Sequence, residues 1–199
     1  MLHSLLTYKL VYESFLLRAS DIGAGVAKEW AIAHPEQVTG VHLSGSNPYT
    51  FQIPNDLTDQ EKAFLEKGQQ FVMDEGAYAM EQSTKPQTLA FSLNDSPVGL
   101  AAWIIEKFNS WSDHSGDLET LFTKDELLTN ISIYWFTQTI GSSMRAYYES
   151  AHTGSPNAGK KVAVPTAYMM IRQDIALGPR DWEERTYNVD RWRENPSDG

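Results

Sequence analysis

The sequence predicts an α/β chain in which parallel strands are interrupted by a long helical insertion. Three observations carry this. A strand–helix–strand unit of about 30 residues ends near Leu43, and such units build parallel sheets. From Thr58 to Tyr148 the pattern is almost wholly helical, and an apolar, strand-like segment returns at Val162 to Ile171.

Leu2, Leu5, Leu6 and Leu10 fall near the i, i+3, i+4 spacing of an amphipathic helix. Phe15-Leu16-Leu17-Arg18-Ala19 is a short apolar run, expected as a strand buried on both faces. A tight turn is expected over Ser20 to Gly23, then a helix from Gly25 to Ala33 with Val26, Trp30 and Ala33 on one side. His34-Pro35 stops that helix, because proline pushes the residue before it out of the α region. Val38 to Leu43 is the second strand. In Thr58-Asp59-Gln60-Glu61 and Thr123-Lys124-Asp125-Glu126, hydroxyl and carboxylate have the spacing of a capping box, which satisfies orphan N–H groups reciprocally. Pro86 and Pro97 stand where first helical turns begin, and Asn94-Asp95-Ser96 supplies cap chemistry before the second. Ser150 to Lys161, with Gly154, Pro156 and Gly159, reads as a loop. Val189-Asp190-Arg191-Trp192 is a weaker strand candidate. The expected division is 1–50 as the first part of the sheet domain, 51–150 as a helical cap and 151–199 as its second part.

Composition narrows the function. The 199 residues are 41% hydrophobic and include 6 Trp, 9 Tyr and 8 Phe, enough for a buried core. With no cysteine, disulfide scaffolds, Cys-based zinc sites and thiol nucleophiles are excluded. The formal charge of −10 argues against nucleic acid or an anionic membrane as the main partner. No run approaches the ~20 apolar residues that span a bilayer. The first ten residues are too polar for a signal-peptide core, so the expected location is cytoplasmic. Histidines occur at His3, His34, His42, His114 and His152; no two share metal-ligand spacing on one element, so neither a metal nor a cofactor is expected.

Ala19-Ser20-Asp21-Ile22-Gly23 lies between a strand and a helix and has the small–x–acid–x–small layout of a nucleophile elbow, a strained turn that lifts its central side chain above a sheet. Two roles fit Asp21. It can be an N-cap, the commoner use of an acid at such a turn. It can also be a nucleophile, since a carboxylate favoured by the helix macrodipole is already ionised and needs no base.

The whole chain adds to this. Ala19-Ser20-Asp21-Ile22-Gly23-Ala24-Gly25, His34-Pro35-Glu36-Gln37-Val38-Thr39-Gly40-Val41-His42-Leu43 and Thr84-Lys85-Pro86-Gln87-Thr88 resemble the microsomal-type epoxide hydrolases of the α/β-hydrolase superfamily. So do Leu93-Asn94-Asp95-Ser96-Pro97-Val98-Gly99-Leu100-Ala101-Ala102-Trp103, Ser142 to Glu149 and Val164-Pro165-Thr166. The resemblance implies a partial α/β-hydrolase fold, with central parallel strands around the elbow and a helical cap. It implies hydrolysis of a small-molecule epoxide by water to a vicinal diol through an aspartyl ester.

On that resemblance Asp21 is the nucleophile, Tyr78 and Tyr147 hydrogen-bond the epoxide oxygen, Asp174 is the charge-relay acid, and the backbone N–H of Ile22 is an oxyanion donor. Phenols with a pKa of about 10 are protonated at neutral pH, as such donors must be. Either tyrosine can instead be a packed aromatic with its hydroxyl at the rim, and a register error of one would exchange Tyr147 for Tyr148. Asp174 can equally be a solvated loop acid beside Arg172 and Arg180.

The family's water-activating histidine follows its Arg-Trp strand in a Gly-Gly-His-Phe segment, and its His-Gly-x-Pro oxyanion loop precedes the elbow strand. Here Arg191-Trp192 is followed only by residues 193–199, and 20 residues precede Asp21. The chain is therefore expected to be an internal piece of an epoxide hydrolase, inactive or limited to one turnover, with its elbow strand at an exposed edge. The runner-up readings are a haloalkane-dehalogenase-like hydrolase, which also uses an elbow Asp, and a non-catalytic remnant.

Overall fold

A computed structural model describes residues 2–45, 53–171 and 178–195. The chain divides into two compact units, residues 1–72 with 155–199, and residues 73–154.

The first unit is built on four parallel strands, β1 (Phe15–Ser20), β2 (Val38–Ser44), β3 (Val162–Ile171) and β4 (Tyr187–Asn195), in the order β1-β2-β3-β4. The expected α/β class, with a helical block between β2 and β3, is what the structure has. Val38, Val41 and Leu43 of β2 and Val162, Val164, Tyr168 and Met170 of β3 form the core. Helix α2 (Asp21–Ala33) closes the β1-to-β2 connection and buries Ala27 and Ala31 against this core. Of the residues suggested by periodicity, Trp30 is half-buried and packs against this core, whereas Val26 and Ala33 are exposed. The fully buried side chains of the helix are both alanines.

Three further expectations change. Strand β1 is not buried on both faces: its burial alternates, and Leu16 is 76% exposed. Among the described strands β1 pairs only with β2, and it stands at the sheet edge. No separate turn spans Ser20 to Gly23, because α2 starts at Asp21 directly after the strand. Leu2 to Lys9 is not one amphipathic helix but a short α1 (Leu2–Ser4) followed by a π-helical turn (Leu5–Lys9), with Leu2 and Leu5 exposed.

Helix α3 (Asp59–Glu75) opens on the expected capping box, with Thr58 N–H donating to Glu61 Oε2 at 2.8 Å and Glu61 N–H donating to Thr58 Oγ1 at 3.2 Å. Glu61 does more than cap. It is fully buried, and Arg185 donates to its two carboxylate oxygens at 2.6 and 3.0 Å. Arg185 follows the short helix α9 (Arg180–Glu184), in which Glu183 accepts from the buried Tyr168 hydroxyl at 2.7 Å.

The second unit is helical: α4 (Ala77–Thr84), α5 (Pro86–Asp95), α6 (Pro97–Trp111), α7 (Lys124–Thr137) and α8 (Ile140–Thr153). Leu93, Leu100, Ile131, Ile140 and Met144 form its core. Pro86 and Pro97 occupy first turns, Ser96 Oγ accepts from Gly99 N–H at 3.0 Å, and Thr123 with Glu126 completes the second capping box. Helix α8 packs on α4 and α5, and a Cβ at Gly141 would meet the Ala90 Cβ at 3.2 Å, so this position needs glycine or an adjustment of its neighbour. No helix among the described residues is long and apolar enough to cross a membrane.

Candidate active site

Asp21 is the first residue of α2 and has φ of 49°, in the left-handed region. A non-glycine residue seldom takes this conformation, and such strain collects at functional sites. Two further observations bear on the two roles left open for Asp21. The cap position belongs to Ser20, which is extended at φ −143° and ψ 167° and makes no side-chain cap bond. An N-cap side chain accepts from an N–H two or three residues further on. The Asp21 carboxylate instead accepts from the next amide, Ile22 N–H. The side chain is exposed, and the Cβ of Ala19 would lie 3.7 Å from a Cβ at Gly23, so small residues flank the bend as the elbow layout requires.

In the helical unit, Tyr78 and Tyr147 come together. Their ring centres are 5.9 Å apart with planes at 78°, an edge-to-face contact, and both residues are half-buried. Tyr78 is in the first turn of α4, and Tyr147 faces it from the middle of α8. The neighbouring Tyr148 is exposed and stacks on His152 at 4.1 Å. Asp174 lies outside the described residues.

Reasoning from the sequence missed the groups around Tyr78. Trp111 contacts its ring edge at 5.2 Å, and Lys107 Nζ lies 5.8 Å from its centre. Partial burial works against the Lys107 charge, but hydrogen bonds to Glu106 and Glu75 outweigh it and hold the pKa above the usual lysine value. The i, i+4 spacing of Lys107 and Trp111 was visible in the sequence as a shared helix face. Nothing local linked that face to Tyr78.

A protein of Stigmatella aurantiaca (strain DW4/3-1) provisionally named epoxide hydrolase is 38% identical over 184 residues, which are 92% of this chain and 41% of that protein. Epoxide hydrolase 1 of Sus scrofa is 35% identical over 92% of this chain and 45% of its own length. The chain belongs to the epoxide hydrolase family. The solved structure of Aspergillus niger epoxide hydrolase superposes with a TM-score of 0.79 at 26% identity, covering 98% of this chain and 50% of that one, which shows the α/β-hydrolase fold. No protein-family profile matches the chain. This epoxide hydrolase relative thus spans less than half the length of the curated proteins it matches.

Proposed function

We propose that this chain carries the epoxide-opening chemistry of an epoxide hydrolase, with Asp21 as the covalent nucleophile. The observation that carries this is the left-handed backbone of Asp21 at a strand-to-helix bend, in a chain whose relatives are named epoxide hydrolases. One oxygen of the Asp21 carboxylate attacks an epoxide carbon. The C–O bond breaks, its electron pair goes to the epoxide oxygen, and the phenols of Tyr78 and Tyr147 hydrogen-bond that oxygen and supply its proton. Such acid assistance is worth roughly 10²–10⁴ in rate.

Water then attacks the ester carbonyl, the acyl C–O bond to the diol breaks, the carboxylate is restored, and the proton that water gives up returns the phenolate to a phenol. Negative charge in that step develops on the carbonyl oxygen of Asp21 itself. Ile22 N–H already donates to Oδ1, which suits it as oxyanion donor if Oδ2 is the attacking atom. Asp174 is the relay acid in this reading. None of the five histidines of the sequence is assigned the water-activating role.

The test is ester formation. Incubation with styrene oxide, followed by intact mass spectrometry and peptide mapping, is expected to add one epoxide equivalent at Asp21 and none in Asp21→Asn. An unmodified parent chain, or equal modification of both, overturns the reading.

A further inference from the structure

The Tyr78 ring meets Lys107 and Trp111, members of a charged cluster that the reaction above does not use. Glu75, the last residue of α3, accepts at Oε2 from Lys107 Nζ at 2.8 Å and from Trp111 Nε1 at 3.1 Å. Lys107 Nζ also pairs with Glu106 Oε2 at 2.8 Å. The ammonium therefore has two anchors. It also stands 5.2 Å from the Trp111 ring centre and 5.8 Å from that of Tyr78, within cation–π range of both.

We propose that Lys107 is a positioning residue for Tyr78: tethered by Glu75 and Glu106, its ammonium bridges the Tyr78 and Trp111 rings and fixes the Tyr78 ring edge-on to Tyr147. The structural statement stands on the cluster alone, and only its catalytic consequence rests on the reading of Tyr78 as a donor to the epoxide oxygen. A phenol on a short helix keeps rotational freedom unless its ring is held from more than one side. Trp111 supplies one side and Tyr147 another. Trp111 is bonded directly to Glu75, three residues before Tyr78 in the chain, and Lys107, bonded to the same Glu75 oxygen, adds a charge over both the Trp111 and Tyr78 rings. The role is geometric, since what Lys107 meets is the face of the Tyr78 ring.

Lys107→Met keeps length and removes charge, while Lys107→Arg keeps charge. In the 199-residue chain with isotope-labelled tyrosine, nuclear Overhauser cross-peaks between the Tyr78 and Tyr147 rings are expected in the parent and in Lys107→Arg. They are expected to vanish in Lys107→Met while its circular dichroism stays that of the parent. Cross-peaks that persist in Lys107→Met overturn the proposal. Should that variant not fold, Glu75→Gln releases one anchor: weaker cross-peaks with an upfield Trp111 indole proton support the proposal, and an unchanged pattern overturns it. Where ester formation is measurable, Lys107→Met is expected to slow it about tenfold at saturating styrene oxide without moving the half-saturating concentration. Tyr78→Phe separates the two ideas. If it leaves ester formation untouched, the functional reading fails, while the cross-peaks still decide the clamp.

Discussion

Glu61 and Arg185 are 124 positions apart and meet in a two-pronged ion pair, with N–O distances of 2.6 and 3.0 Å. The bond to Arg185 leads the causes that hold the Glu61 pKa at about 2, opposed by desolvation and helped by Thr58. A depressed carboxylate pKa gives stability that is present above the unfolded-state value and lost as pH falls toward the folded one. The acid-sensitive window therefore runs from about 4.5 down to about 2. Glu61→Gln is expected to cost about 2 kcal/mol at neutral pH, less than removing one partner of a fully buried pair, because Arg185 is partly solvated and keeps Asp56. It should also flatten the pH dependence inside that window. Urea unfolding of parent and variant at neutral pH and near pH 3 checks both points.

The bend at Asp21 gives a prediction that separates strain from capping. Glycine takes positive φ at no steric cost. If the left-handed backbone is a burden kept for function, Asp21→Gly should stabilise the fold by about 0.5–1 kcal/mol while abolishing ester formation. An N-cap acid replaced by glycine would instead lose a few tenths of a kcal/mol. The sign of the shift in the urea midpoint decides between them.

What was legible follows from how local each signal is. The capping boxes at Thr58 and Thr123 and the prolines at 86 and 97 act within one helical turn, so the sequence shows them directly. The extent of β3 was readable because apolar residues dominate it on both sides of Pro165 and Thr166. The buried face of α2 was not, because a helix crossing a parallel sheet presents Ala27 and Ala31, which weigh little in a hydrophobic pattern. The edge position of β1 was expected from the resemblance, whereas the uncovered face that exposes Leu16 depends on what packs over the strand and not on β1 itself. Of the candidate site, the local elbow layout pointed to Asp21, and the resemblance added Tyr78 and Tyr147. The Glu75–Lys107–Trp111 cluster joins the end of α3 to α6, a tertiary relation without a local motif.

Gly141 tests how closely α8 must approach α5. Glycine inside a helix costs roughly 0.5–1 kcal/mol relative to alanine. A methyl here would sit 3.2 Å from the Ala90 Cβ, so the neighbour must yield slightly. The two effects nearly cancel for Gly141→Ala, and thermal melting should barely move. Gly141→Leu cannot be absorbed in this way and should cost about 1–3 kcal/mol, as overpacked cores do. Equal melting temperatures for all three chains would show that the helices are free to separate.

Tyr147 and Tyr148 are adjacent in sequence but differ in surroundings, and this sets the last prediction. In the proposed reaction, a donor to the epoxide oxygen acts with a second phenol that shares the charge leaving with the C–O bond. Tyr147 meets the Tyr78 ring, whereas Tyr148 is exposed and spends its face on His152, whose ring nitrogen bonds the Tyr148 carbonyl at 2.8 Å. Tyr147→Phe should therefore slow ester formation on Asp21 by about 10² or more, the lower range for loss of a positioned acid. Tyr148→Phe should leave the rate within about twofold, because it removes only an exposed hydroxyl. Rates come from the growth of the adduct peak with time at fixed styrene oxide. A reversed order would mean that the working phenol is the one stacked on His152, and the edge-to-face pair would then be packing alone.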